Sequence, residues 1–157
     1  MGQFGFSLVG AVFLLALFVP NLVWSRTAKP AGYDASGENR VLRIAERAGQ
    51  ALTTTTSLIF ADTNPRHWSP WSWWLVAAAA AMVTYELSWV RYFRSRRTSH
   101  EFYRSLFGVP VPLAVLPIAA FLLLGIYGRL LPLIAATAVL GIGHIGVHLQ
   151  HRRALRP

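Results

Sequence analysis

The chain contains 157 residues, of which 54% are hydrophobic and only 13% are charged. Soluble domains usually contain about 25% charged residues, so the composition excludes a disordered chain and argues against an ordinary soluble enzyme. The absence of cysteine excludes disulfides, thiolate metal sites and cysteine nucleophiles. The formal net charge of +9 comes almost entirely from arginines between apolar stretches, where they orient membrane helices rather than bind nucleic acid.

Four stretches predict membrane-crossing helices, because a hydrocarbon core of roughly 30 Å requires about 20 apolar residues in a helix. The first, residues 4–24, has no charged residue and no basic residue before it, so we expect a retained span rather than a signal peptide. The second, residues 71–92, follows Ser69 and Pro70, which suit a helix N-cap and first turn. The other two form a predicted helical hairpin and cover residues 109–127 and 130–150.

Residues 41–61 form a fifth candidate, although only 11 of these 21 residues are apolar. Their polar residues recur every three or four positions, which indicates one polar face of a helix. The polar positions are Arg43, Glu46, Arg47, Gln50, Thr53, Thr54 and Ser57. Such a helix either lies on the membrane surface or crosses the membrane with its polar side hidden in a bundle.

The distribution of basic residues favours the crossing helix. With five spans, 13 Lys and Arg residues lie on one side of the membrane and two on the other, whereas without a crossing at 41–61 the counts are eight and seven. Since cytoplasmic loops are enriched in Lys and Arg, the sequence predicts an all-α, five-helix membrane bundle. We expect a single domain over residues 1–157, with an outside N-terminus and a cytoplasmic C-terminus, in the plasma membrane (the inner membrane of a bacterial cell).

Strongly polar residues from different spans fall at a similar predicted depth near the cytoplasmic side, given a helical rise of 1.5 Å per residue. These residues are Asn21, Glu46, Arg47, Gln50, Tyr85, Glu86, Trp89, His144 and His148. Because polar side chains within spans usually face the bundle interior, we expect them to surround one pocket. In that pocket Glu86 should be buried and paired with Arg47 or a histidine.

The residue types suggest distinct roles within this pocket. Glu86, Glu46 and His144 are the candidate catalytic, acid–base residues. The candidate ligand-binding residues are Arg47, Gln50, Tyr85, Trp89, His148 and Asn21. A His/His pair spaced i, i+4 beside a carboxylate also permits zinc or iron binding at His144, His148 and Glu86. One competing interpretation is a structural salt-bridge cluster of Glu46 and Arg47 with Arg43. The other is that His148 and His151 merely lie near lipid headgroups.

Three functions follow from this pattern. The first is a protein that binds, and as an enzyme would also transform, a lipid or another small amphipathic or anionic molecule at the cytoplasmic side. The second is a dimeric transporter or proton-linked module, since a Glu–His chain in a membrane can relay protons. The third is an accessory subunit of a larger membrane complex. The bilayer is a partner in each case, a homo-oligomer is compatible with all three, and no nucleic-acid partner is expected.

Overall fold

A computed structural model describes residues 2–31, 33–34 and 36–155. The protein is 74% helical, and the described residues form no β-strand. Five long helices and one short helix make up the fold. They are α1 (Leu8–Val23), α2 (Arg40–Ile59), α3 (Trp73–Phe93), α4 (Ser99–Phe102), α5 (Pro112–Gly128) and α6 (Leu131–Ala154).

Three helical segments are long and apolar enough to cross a membrane, which supports a membrane protein. They are Leu8–Ala28, Pro70–Phe93 and Leu131–Ala154. Helix α5 is apolar but shorter, with 17 residues. Helix α2 lacks the hydropathy of these segments because polar side chains occupy one of its faces.

The observed helices agree with the predicted spans to within a few residues at each end. Ser69 and Pro70 begin the turn that leads into α3, with the Ser69 backbone donating to Ser72 Oγ. The segment between α3 and α5 contains only the four-residue helix α4. Its continuation is prevented by a tight turn, in which Leu106 pairs with Val109, and Phe107 and Gly108 adopt positive φ angles.

Helix α2 packs antiparallel along α6 over nearly its full length. At one end of this contact the Asn39 backbone donates to Gln150 Oε1 at 3.1 Å. In the middle, glycines bring the two backbones together: a Cβ at Gly49 would overlap the Leu140 backbone, and one at Gly143 would overlap the Glu46 backbone. Small residues allow this close approach, as they commonly do between membrane helices.

The two ends of the bundle differ in chemistry. One end, which we call the basic end, holds most of the basic residues: Arg26, Lys29, Arg40, Arg43, Arg91, Arg94, Arg96, Arg97, Arg104, Arg152 and Arg153. Contacts across this end include the hydrogen bonds from Tyr92 Oη to the Ala28 carbonyl and from Arg152 to Ser105 Oγ. The opposite, tryptophan end holds Arg66, Arg129, Trp68, Trp71, Trp73 and Trp74. Arg156, which the charge count also used, lies outside the described residues.

Helix α2 turns its apolar residues outward and its small polar residues inward. Val41, Ile44 and Leu52 are more than half exposed, whereas Gly49, Thr53 and Ser57 are buried. An amphipathic helix in water has the opposite arrangement, with the apolar face covered. The outward face of α2 therefore suits contact with lipid or with another apolar protein surface.

Replacing Gly143 by alanine should destabilise the fold, because the new methyl group would push apart the α2 and α6 backbones. We expect a loss of about 1–3 kcal/mol in the free energy of unfolding, the usual cost of overpacking. Gly146→Ala is the matched control, since its methyl group meets only the flexible end of the Leu42 side chain, at 2.9 Å. Unfolding in detergent micelles measures both, and equal losses would contradict the backbone contact.

Candidate functional site

A cavity of about 240 Å³ lies among α1, α2, α3, α5 and α6, toward the basic end. Its apolar lining consists of Leu17, Phe18, Trp24, Trp89, Phe102, Leu113, Pro117, Ile118, Phe121 and Leu140. Its polar lining consists of Asn21, Tyr33, Glu46, Gln50, His144 and His148. The cavity thus combines a large apolar surface with a few polar groups, as small-molecule sites commonly do.

The mouth of the cavity lies between α1 and α2. Among the described lining residues, Phe18 on α1 and Gln50 on α2 are the exposed ones, whereas the others are buried or half-buried. The two helices meet closely nearer the tryptophan end, where Gly10 lies against the Ser57 carbonyl. The opening therefore faces the side of the bundle rather than either of its ends.

Two of the polar lining residues are joined by a hydrogen bond between His144 Nδ1 and Glu46 Oε1, 2.6 Å long. Both side chains are about one quarter exposed (23% and 24%), so each remains accessible from the cavity. The pair forms across the α2–α6 contact, beside Gly143. With Glu46 ionised, His144 Nδ1 holds the shared proton and its Nε2 is left for another partner.

Asn21 is held in place by α3. Its Nδ2 donates to Tyr85 Oη and to the Leu17 carbonyl, both at 2.7 Å. Tyr85 does not line the cavity but positions Asn21, which does. This contact joins α1 to α3 at the level of the cavity.

Two further histidines follow His144 along α6 toward the basic end. The His148 ring lies 4.5 Å from the His144 ring and packs against Phe102 and Tyr103. One turn further, His151 Nε2 lies 3.1 Å from Glu38 Oε1. Tyr103 also stacks on His151. Burial raises the pKa of Tyr103, and burial followed by the charges of Glu38 and Glu46 raises that of Tyr33, so both phenols stay neutral.

Three buried nitrogen atoms on cavity residues lack a hydrogen-bond partner within the described part of the chain. They are Trp24 Nε1, Trp89 Nε1 and His148 Nδ1. An indole nitrogen can only donate, and leaving a buried donor unpaired costs about 1–3 kcal/mol. The cavity lining therefore includes indole groups as well as the Glu46 carboxylate.

Glu86 does not line this cavity, and the prediction that it is paired and belongs to a common pocket is wrong. It lies in a separate groove between α1 and α3, and its buried Oε1 has no partner among the described residues. The groove is otherwise apolar and consists of Val12, Phe13, Ala16, Ala79, Met82, Val83, Leu87 and Val90. Adjacent helical residues point about 100° apart, so Tyr85 faces inward while Glu86 faces the groove.

Arg47 is likewise outside the cavity. Its neighbour Glu46 lines the cavity, whereas Arg47 is exposed on the outer side of α2. The predicted contact between Arg47 and a ligand in this cavity is therefore not formed, nor is the alternative Glu46–Arg47 salt bridge, since Glu46 pairs with His144.

The proposed metal ligands are not brought together. Across residues 2–31, 33–34 and 36–155, no three His, Asp or Glu residues are placed to hold a metal ion. His144 and His148 are adjacent on α6, but Glu86 lies in the α1–α3 groove. The zinc or iron site predicted from these three residues is therefore not assembled.

Sequence reasoning placed Asn21, Glu46, Gln50, Trp89, His144 and His148 at one depth, and all six line the cavity. Among the lining residues that it missed are Phe18, Trp24, Tyr33 and Phe102. Phe18 carried no signal, because it resembles any other apolar residue of a span. Tyr33 and Phe102 belong to segments outside the spans. Hydrophobic periodicity does not indicate how such segments pack against the bundle.

Comparison of the chain with protein-family models, with curated proteins and with solved structures finds no match. The chemical character of the site rests on its own residues. The described lining includes one carboxylate, two histidines and two indoles but no Lys or Arg. An anionic group would therefore meet Glu46 without a fixed positive charge beside it.

The Glu46–His144 contact should be detectable as an energetic coupling. We expect the double-mutant cycle of Glu46→Ala and His144→Ala to give a coupling of about 0.5–3 kcal/mol, the range for residues in direct contact. The cycle Arg47→Ala with His144→Ala is the control and should be additive, because Arg47 points away. Unfolding in micelles supplies the four free energies of each cycle, and additivity in the first cycle would contradict the contact.

Proposed function

We propose that the protein is a five-span membrane protein that binds a small amphipathic molecule with a hydroxyl head in the cavity beside Glu46 and His144. The observation that carries this proposal is that the lining of one largely apolar cavity includes both indole groups and the hydrogen-bonded Glu46–His144 pair. A hydroxyl group both donates and accepts hydrogen bonds. It can therefore accept from an indole and donate to Glu46.

The five-span topology is supported by the packing of α2. This helix runs alongside α6, one of the three apolar segments, and exposes an apolar face. If α6 crosses the bilayer, α2 crosses with it, because α2 runs between the same two ends of the bundle. The basic end then faces the cytoplasm and the tryptophan end the outside, because Lys and Arg accumulate at cytoplasmic ends.

The size and mouth of the cavity suit a ligand that arrives through the membrane. Its volume exceeds the roughly 150 Å³ of a cavity that accepts benzene but lies below the 300–1,000 Å³ typical of drug-sized sites. It therefore takes a small molecule or the head and first carbons of a longer one. The side opening between Phe18 and Gln50 lets the rest of such a chain extend into lipid.

A proton-linked role is the second candidate. It is favoured by the sequence of side chains from Glu46 through His144 and His148 to Tyr103, His151 and Glu38, which leads from the cavity to the basic end. Proton uptake into vesicles containing the purified protein separates this role from ligand binding alone.

Cysteine labelling tests the topology, since the chain has no native cysteine. We expect a membrane-impermeant maleimide to label Arg66→Cys on intact cells, and to label Lys29→Cys and Arg97→Cys only after the membrane is opened. Lys29 decides the crossing of α2, because a surface-bound α2 would put Lys29 on the same side as Arg66. Labelling of Lys29→Cys together with Arg66→Cys on intact cells would overturn the five-span arrangement.

A photoreactive long-chain alcohol and the fatty acid of the same chain length test the ligand class. We expect the alcohol to label cavity peptides more strongly, because the acid lacks a cationic partner there. Trp89→Phe keeps an aromatic ring but removes the donor, and should weaken alcohol binding by up to about tenfold, the equivalent of one net hydrogen bond. Trp74→Phe, at the tryptophan end, is the control.

Ile118→Trp, which fills the cavity, should abolish this labelling, while Ile142→Trp on the exposed side of α6 should not. Equal labelling by alcohol and acid would contradict the hydroxyl assignment. Labelling that survives Ile118→Trp in a folded protein would contradict the cavity as the binding site.

A further inference from the structure

Glu86 is a carboxyl group in an apolar groove and lacks a cationic partner among the described residues. The groove between α1 and α3 offers only apolar side chains apart from this one carboxyl group. Ala16 and Ala79 leave room for another surface to approach. A carboxyl group among apolar side chains within a membrane span is costly without a partner, and Glu86 Oε1 has none among the described residues.

Arg47 is the complementary feature on α2. It is exposed beside the apolar outward residues of this helix, which are Val41, Ile44, Ala48, Ala51 and Leu52. The ion pairs formed within the described ranges are Arg104–Glu101, His144–Glu46 and His151–Glu38. Neither Arg47 nor Glu86 belongs to them. Other helical arginines are also outside these pairs, but they lie closer to the basic end than Arg47 does.

The two residues lie at the same depth. Arg47 is seven residues after the start of α2 at the basic end, and Glu86 is seven residues before the end of α3 at the basic end. At 1.5 Å per residue, each lies roughly 10 Å into its helix.

Contacts through the bundle agree with this depth. Trp89, one turn from Glu86, reaches His148 through Phe102. His148 is one turn from His144, which bonds to Glu46, the neighbour of Arg47. The path from Glu86 to Arg47 therefore runs one turn toward the basic end on α3 and one turn back on α6, so it ends at a similar depth.

We propose that the α1–α3 groove receives the outward face of α2 from a second copy of this chain, with Arg47 of that copy paired to Glu86. Copies in one membrane share the same orientation and are related by an axis along the membrane normal, so residues at equal depth meet. The charges are complementary, and the apolar face of α2 matches an apolar groove. A two-fold arrangement forms the pair twice, whereas a ring forms it once at each interface.

This inference rests on the proposed crossing of α2 but not on the ligand. Labelling at Lys29 tests the crossing, and cross-linking between copies tests the assembly. A failed alcohol-binding experiment leaves the proposed interface unaffected, so the two proposals fail separately.

Two full-length chains with different tags, one carrying Arg47→Cys and the other Glu86→Cys, test the interface directly. Coexpression and mild oxidation should give a reducible species that carries both tags. The matched control pairs Glu86→Cys with Ile142→Cys, because Ile142 is exposed on α6 two residues from His144 and so lies at a similar depth. We expect several-fold more cross-linking in the first pair. Equal yields, or linkage of Glu86→Cys to an unrelated protein instead, would overturn the proposal.

Charge exchange provides the second measurement. Arg47→Glu or Glu86→Arg alone should shift the protein in mild detergent from the oligomer to the monomer, and the two changes in one chain should restore the oligomer. A lipid with a cationic head in the groove would predict that only Glu86→Arg has an effect and that the double variant is not rescued. That result, or a wild-type protein that is monomeric in the membrane, would overturn the pairing between copies.

Discussion

The direct contact of the α2 and α6 backbones is the constraint on which the rest of the arrangement depends. Gly49 and Gly143 have no side chain between the helices, so α2 lies against α6 at the distance at which Glu46 reaches His144. A larger residue at either position would separate the carboxylate from the imidazole. The same contact holds α2, the least apolar of the long helices, antiparallel to α6, which is long and apolar enough to cross a membrane.

The position of α2 also creates the cavity. Near the tryptophan end α1 and α2 touch at Gly10 and Ser57, whereas near the basic end the cavity lies between them. The hydrogen bond between Asn21 and Tyr85 instead keeps the part of α1 nearer the basic end against α3. Because α1 is tied to different neighbours at its two ends, a side opening remains between Phe18 and Gln50.

On α2 and on α3, two polar residues that are adjacent in the sequence face different surroundings. This difference determines which polar groups lie on each surface. Glu46 lies in the cavity while Arg47 lies outside, and Tyr85 faces α1 while Glu86 lies in the groove. The cavity lining therefore contains one carboxylate and no Lys or Arg side chain. Arg47 and Glu86 lie on two outer surfaces instead, where we propose that they serve assembly rather than ligand binding.

The sequence by itself determined the helices, their approximate ends and the depth of each polar residue. Apolar length indicates a helix, and a rise of 1.5 Å per residue converts position into depth. For this reason Glu46, Gln50, His144 and His148 were correctly predicted to lie at one level. The tertiary structure alone decided which way each side chain faces, because the rotation of a helix about its axis depends on its packing partners. Glu86 and Arg47 share the predicted depth with the cavity residues, yet packing of α3 against α1 and of α2 against α6 turned both of them away from it.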